Sequence, residues 1–150
     1  LLKKLISWCM YRERSVNELI SKMDRMLIES KLQNKYLSYI LVEKYINQKI
    51  FIQEYIHGKF KVKRWGKGKI IAGLLAAGID VQEARQAVES QIQDLELIEQ
   101  VKNWILKKES KYNWRSDLSE KWKVVRFLQS KGFNLYEINQ AFEELSSIDS

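Results

Sequence analysis

His57 is the only histidine in this 150-residue chain, and Cys9 is the only cysteine. These are the side chains best suited to nucleophilic or metal chemistry, and their scarcity restricts both. A structural zinc site takes four nitrogen or sulfur ligands, so two residues cannot build one, and a histidine-based triad has little to draw on. A Cys–His nucleophilic pair needs an accessible thiol close to the imidazole. Cys9 lies instead in the apolar stretch Trp8-Cys9-Met10, which predicts a buried, reduced thiol packing as a small hydrophobe. Glu18, Glu83 and Glu137 recur at comparable places, and carboxylates can serve acid–base catalysis. Each follows Ser15, Asp80 or Asn134 at the spacing of a capping box, so helix capping is their expected role. Trp65-Gly66-Lys67-Gly68-Lys69 combines glycine and lysine, yet it lacks the G-x-x-x-x-G-K-[ST] phosphate loop and follows no strand. The chain reads as a non-enzyme with no catalytic residues, no metal site and no cofactor.

The remaining chemistry is electrostatic. From Lys59 to Lys69 the basic residues are Lys59, Lys61, Lys63, Arg64, Lys67 and Lys69, with Phe60 and Trp65 among them and no acid. Such a segment suits phosphate contacts through its cations and base stacking through Trp65. It equally suits a solvated helix end, with lysines favoured by the C-terminal dipole and Phe60 and Trp65 packed inside. Lys59, Lys61, Lys63, Arg64, Trp65, Lys67 and Lys69 are therefore the candidate partner- or nucleic-acid-binding residues. A second aromatic and basic stretch, Lys107 to Arg115, lacks a clear period and reads as a linker or surface loop; its Trp114 suits either an interaction anchor or a strut between units. A formal net charge of +7 points to a polyanionic partner, nucleic acid or an acidic protein surface.

Helices must position these groups. The chain has no proline, and 45% of it is hydrophobic, which favours long helices around a real core over an all-β fold. Apolar spacing is helical almost throughout. Leu1, Leu2, Leu5, Ile6 and Cys9 line one face of a first helix, and Ser15 starts a second through Leu19 and Met23. Leu37 to Tyr45 and Phe51 to Phe60 carry the third and fourth. A short fifth, with Ile70 and Leu74, ends at Gly78; a sixth from Asp80 turns Val81, Ala84 and Val88 inward. Leu95, Ile98, Val101, Ile105 and Leu106 form a seventh, and Trp122, Val125 and Leu128, then Leu135 to Leu145, complete the series.

Laid on itself at an offset of 54, the segment from Lys69 to Val88 aligns without a gap on Lys123 to Phe142. Gly78 meets Gly132, Glu83 meets Glu137, and the apolar positions stay in phase. That is a repeated supersecondary unit: a helix closed by glycine, an apolar residue, an Asx cap and a second helix. Ser15 onward is a diverged copy, with Met23 or Asp24 near the place of the glycine. The fold class is all-α, with three tandem three-helix units over residues 1–48, 49–92 and 93–150 in an elongated array. The helix–glycine–helix rhythm is shared with helix-turn-helix proteins, but also with ordinary helix packing. The opening Leu1-Leu2-Lys3-Lys4 is unlike a signal peptide, and no apolar run approaches the roughly 18 residues of a spanning helix. A cytoplasmic monomer with no membrane contact is expected.

The ordered motifs resemble the RecX family. Trp8-Cys9-Met10-Tyr11-Arg12-Glu13-Arg14-Ser15 with Glu18-Leu19 looks like the opening of RecX proteins. Gly58-Lys59-Phe60, Lys63 to Ile70 and Leu74-Leu75-Ala76-Ala77-Gly78-Ile79 resemble the central block. Phe127 to Phe133 and Ile138 resemble the last repeat. The resemblance spans nearly the whole chain. It implies three tandem three-helix repeats and a protein that binds the RecA recombinase filament on single-stranded DNA, lies along the filament groove, and restrains recombinase and co-protease activity in DNA repair and the SOS response. The alternative function is sequence-independent binding of nucleic acid without RecA contact, so single- or double-stranded DNA stays open as a partner. Two features depart from the family pattern: Lys49-Ile50 stands where an acidic pair is usual, and the first repeat lacks its glycine.

Overall fold

A computed structural model describes residues 1–148; positions 149 and 150, at the end of the third expected unit, lie outside the described residues. The described residues form α-helices with no strand: α1 (Leu2–Tyr11), α2 (Val16–Arg25), α3 (Ser30–Val42), α4 (Gln48–His57), α5 (Lys67–Ala76), α6 (Val81–Gln91), α7 (Asp94–Lys108), α8 (Leu118–Ser130) and α9 (Leu135–Ile148). A π-helical turn, Gly58–Val62, prolongs α4. The fold is all-α with tandem three-helix repeats.

Local signals start the helices where the sequence places them. Ser15 Oγ accepts from the Glu18 N–H at 3.1 Å while the Glu18 carboxylate accepts from the Ser15 N–H at 3.2 Å. Asn134 and Glu137 repeat this reciprocal pair at 2.8 and 3.0 Å. The middle unit differs. Asp80 accepts from the N–H groups of Gln82 and Glu83, but the Glu83 carboxylate turns away to accept from the Gln48 amide of α4 at 3.2 Å. Two of the three glutamates cap, and the third ties two helices together.

Two hydrophobic cores form. Leu5, Cys9, Leu19, Met23, Ile28, Ile40 and Ile46 make the first, entirely within α1 to α3 and their connections. The second runs from Phe51 to Leu145 and is shared by α4–α6 and α7–α9. The stripe that α7 buries is Leu97, Val101 and Ile105. Leu95, Leu1, Trp122, Leu135, Leu106 and Val81, expected inside, are exposed at 79%, 59%, 52%, 46%, 44% and 39%. A stripe at i, i+4, i+8 keeps to one side of a helix, and residues one or two positions away point elsewhere. Trp114 is a strut: it is buried, with its ring edge-on to Phe142 at 5.0 Å.

The same C-terminal turn closes the middle helix of every unit. Ile79 N–H donates to the Leu74 carbonyl and Gly78 N–H to Leu75; Phe133 and Gly132 do likewise to Leu128 and Gln129. Ile28 and Leu27 complete the set, to Met23 and Asp24. These are Schellman turns, whose pivotal residue takes positive φ. The counterpart of Gly78 and Gly132 is therefore Leu27 (φ 58°), three or four residues beyond Met23 and Asp24, where the sequence pattern alone placed it. Leu27 survives because nothing packs on it; it is 91% exposed. Positive φ costs a side chain about 1–2 kcal/mol, partly offset by the extra freedom glycine has when unfolded. Leu27→Gly should thus raise stability by about 0.5–1 kcal/mol, seen as a higher urea midpoint at unchanged slope.

At the other two turns a neighbouring helix sits on the glycine. The start of α5 rests on the end of α8, where Gly66 N–H donates to the Lys131 carbonyl at 2.7 Å and Gly68 N–H to the Gly132 carbonyl at 3.0 Å. The unpaired N-terminal donors of α5 thereby satisfy unpaired C-terminal acceptors of α8, and the positive end of one helix dipole meets the negative end of the other. The start of α2 approaches Gly78 through Asn17 in the corresponding way, a Cβ on Gly78 falling 2.3 Å from the Asn17 amide nitrogen. Consecutive units are coupled by one repeated contact.

Candidate partner-binding surface

The π-helical turn and the residue that ends it determine how the basic segment is displayed. Lys63 N–H bonds to the Gly58 carbonyl, Trp65 N–H to the Lys59 carbonyl, and Arg64 between them takes φ 59°. This brings the chain sharply round from α4 into α5. Phe60 is buried, and Trp65 is half-buried against the second core.

The seven candidate residues divide into three groups. Lys59 Nζ and Lys69 Nζ lie over the Trp65 ring at 4.7 and 4.4 Å from its centroid, an arrangement that fixes the indole as a packed anchor. Lys61 pairs with Glu96 at 2.8 Å; Lys67 pairs with Glu89 at 3.0 Å and Asp94 at 3.7 Å. Glu96 is held below the usual carboxylate range, first by its hydrogen bond from Lys61. Lys63 and Arg64 are exposed and have no ion-pair partner among the described residues.

The structure adds neighbours that the linear segment does not contain. Trp104 Nε1 donates to the Arg64 carbonyl at 2.9 Å, joining α7 to the turn. Its ring meets Phe127 edge-on at 5.1 Å, and Lys107 and Lys131 stand over it at 5.4 and 5.6 Å. Lys108 lies 4.2 Å from the Phe127 centroid. Lys131 is also the residue whose carbonyl accepts from Gly66. Lys107, Lys108 and Lys131 thus gather at one junction between the second and third units, where the backbone of Arg64, next to Lys63, also meets α7. Trp104, Lys107 and Lys108 share a helix face at i, i+3 and i+4, a signal present in the sequence. Lys131 has no such signal; packing alone brings it here. The arrangement suits an acidic or phosphate-bearing surface bound by charge, with the aromatic rings already engaged by lysines.

The groups that first suggested chemistry are separated. Cys9 is buried in the first core, where burial pushes its thiol pKa up, and His57 is exposed at the end of α4. Among the described residues no group of three or more His, Cys, Asp or Glu is placed to hold a metal, and no helix is long and apolar enough to cross a membrane.

Glu137 is unusual among the carboxylates. Burial raises its pKa, opposed by the Asn134 N–H and Lys67 and reinforced by Asp94 and Glu89. A carboxyl whose folded pKa lies above its unfolded value holds more protons when folded, between those two values. Its contribution to stability is complete below the ordinary carboxylate range and is lost as pH rises through the folded value. Glutamine can accept the same capping bond without the charge. Glu137→Gln should therefore match or exceed the parent in stability near pH 7, and the difference should shrink on acidification to about pH 4, measured by denaturant titration at both values.

Two solved RecX structures share this architecture at a TM-score of 0.86 each. One, a regulatory protein RecX, is 18% identical, the alignment covering 95% of this chain and 70% of that one. The other, RecX from Lactobacillus salivarius, is 21% identical, covering 97% of this chain and 94% of that one. No family model matches the sequence, and no curated protein matches it. The chain has the RecX fold.

Proposed function

We propose that this chain is a non-catalytic regulator of the RecX type, binding the RecA filament on single-stranded DNA and restraining its recombinase and co-protease activities in DNA repair and the SOS response. The observation that carries this reading is the likeness to RecX structures over nearly the whole chain, in agreement with the ordered motifs of all three repeats. The basic junction supports it, because a filament of protein and DNA offers both acidic side chains and phosphates. In this reading the protein acts as a cytoplasmic monomer without a cofactor, through units at 1–48, 49–92 and 93–150. Added to its cognate RecA on single-stranded DNA, it should slow ATP hydrolysis and strand exchange; no effect at excess protein overturns the reading.

The second reading is direct, sequence-independent binding to nucleic acid, with any effect on RecA arising by competition. The exposed pair Lys63 and Arg64, beside Lys107 and Lys131, favours it. It requires tight, salt-sensitive binding to bare DNA, which an electrophoretic or anisotropy titration without RecA measures directly.

A further inference from the structure

A groove of about 1030 Å³ lies between the start of α5, α7 and α9, and its charge is opposite to that of the chain as a whole. Glu89, Asp94, Glu99, Glu137 and Glu144 line it, against Lys67 and Lys69. The lysines within reach leave an acidic excess. Lys67 is shared by Glu89 and Asp94, and Lys102 by Glu99 and Glu144 at 3.3 and 3.4 Å, so each trio keeps a net negative charge.

Glu137 is the second observation. Its side chain lines the groove, only 9% of the residue is exposed, and it has no ion-pair partner among the described residues. Its carboxylate accepts from the Asn134 N–H, and its own N–H donates to the Asn134 side chain. The cation that acts on this carboxylate, Lys67, is already shared by Glu89 and Asp94, so an incoming ammonium or guanidinium relieves the cost of burying it. The groove also offers apolar contact. Leu97 and Phe133 lie within its lining, while Leu95 and Tyr136 stand at its edge, 79% and 76% exposed.

We propose that this groove docks a cationic segment of a protein partner, a Lys or Arg reaching Glu137 and a neighbouring apolar side chain packing on Leu95 and Tyr136. Charge complementarity selects the occupant. Carboxylates repel phosphates, so nucleic acid is excluded here. A net charge of +7 repels cations from the rest of the surface, so a cationic ligand is drawn to this site specifically. The inference goes beyond the filament reading and does not rest on it, since it needs neither RecA nor DNA.

The probe is a displayed library of short random peptides, selected on the whole protein at physiological salt. Selected peptides should combine Lys or Arg with Leu, Phe or Trp, and should bind Glu89→Gln/Glu137→Gln at least about tenfold more weakly. The charge-matched control is Glu29→Gln/Glu43→Gln, on α3 and its flanks, which should bind as the parent does. Tyr136→Ala, at an exposed position, should weaken binding without altering the far-ultraviolet dichroism. Enrichment of acidic peptides, no enrichment, equal losses in the two double variants, or a parent that instead self-associates through this groove in sedimentation would each overturn the proposal.

Discussion

Gly132→Ala should cost at least about 3 kcal/mol, the largest stability loss expected from a single added methyl group in this chain. Gly132 has φ 99°, beyond the left-handed well that other residues reach at a cost of about 1–2 kcal/mol. A Cβ there would stand 2.5 Å from the Lys69 nitrogen and 3.0 Å from the Gly66 carbonyl oxygen, both backbone atoms that cannot swing aside. Relieving the overlap means lifting α5 off the end of α8, with the two junction hydrogen bonds at roughly 1 kcal/mol each. Because the second and third units share one core, the loss should appear in a single cooperative transition. Gly78→Ala should cost less, for its Cβ meets the Asn17 side chain, which can rotate. Gly58→Ala is the control: φ is −63° and nothing lies within 4 Å, so the change should be neutral or slightly stabilising. Urea titrations of the three variants should fall in that order; equal midpoints for Gly132→Ala and Gly58→Ala would refute the junction as described.

That ordering also explains how far the sequence could be read. The repeat was visible because Gly78 and Gly132 answer two demands at once, positive φ and a seated neighbour, and only glycine meets both. Where the second demand is missing, Leu27 stands in the same turn and the pattern breaks. Capping was legible for the same reason: Ser15 with Glu18 and Asn134 with Glu137 are local pairs, fixed by spacing along one helix. Glu83 has the same spacing, yet a side chain 35 residues away captures its carboxylate. The candidate surface divides along this line. Lys59 to Lys69 is dense enough to notice, but which lysines are free depends on Glu89, Asp94 and Glu96, presented by α6 and α7. Lys131 joins the surface through packing between units, which no local pattern encodes.

The largest expected functional effect follows from that division. Replacing Lys63 and Lys107 by Ala, Arg64 by Asn and Lys131 by Ala should weaken binding to the RecA filament by about a hundredfold, while the folded protein keeps its stability. Asn is chosen at position 64 because it tolerates positive φ, so charge is removed without straining the turn. Lys61→Ala with Lys67→Ala removes the same kind of charge from the same segment, but from residues already engaged by Glu96, Glu89 and Asp94. That pair should change filament binding several-fold at most. Salt dependence then separates the two functional readings. If the four cations meet phosphates, the slope of log affinity against log salt on single-stranded DNA should fall by roughly 0.7 for each charge removed, and bare DNA and filament should lose affinity together. If they meet acidic side chains of the filament, affinity for the filament should fall while that for bare DNA barely moves, because few condensed counterions are released from a protein surface. Equal behaviour of the junction set and the ion-paired set would place the binding surface elsewhere on the chain.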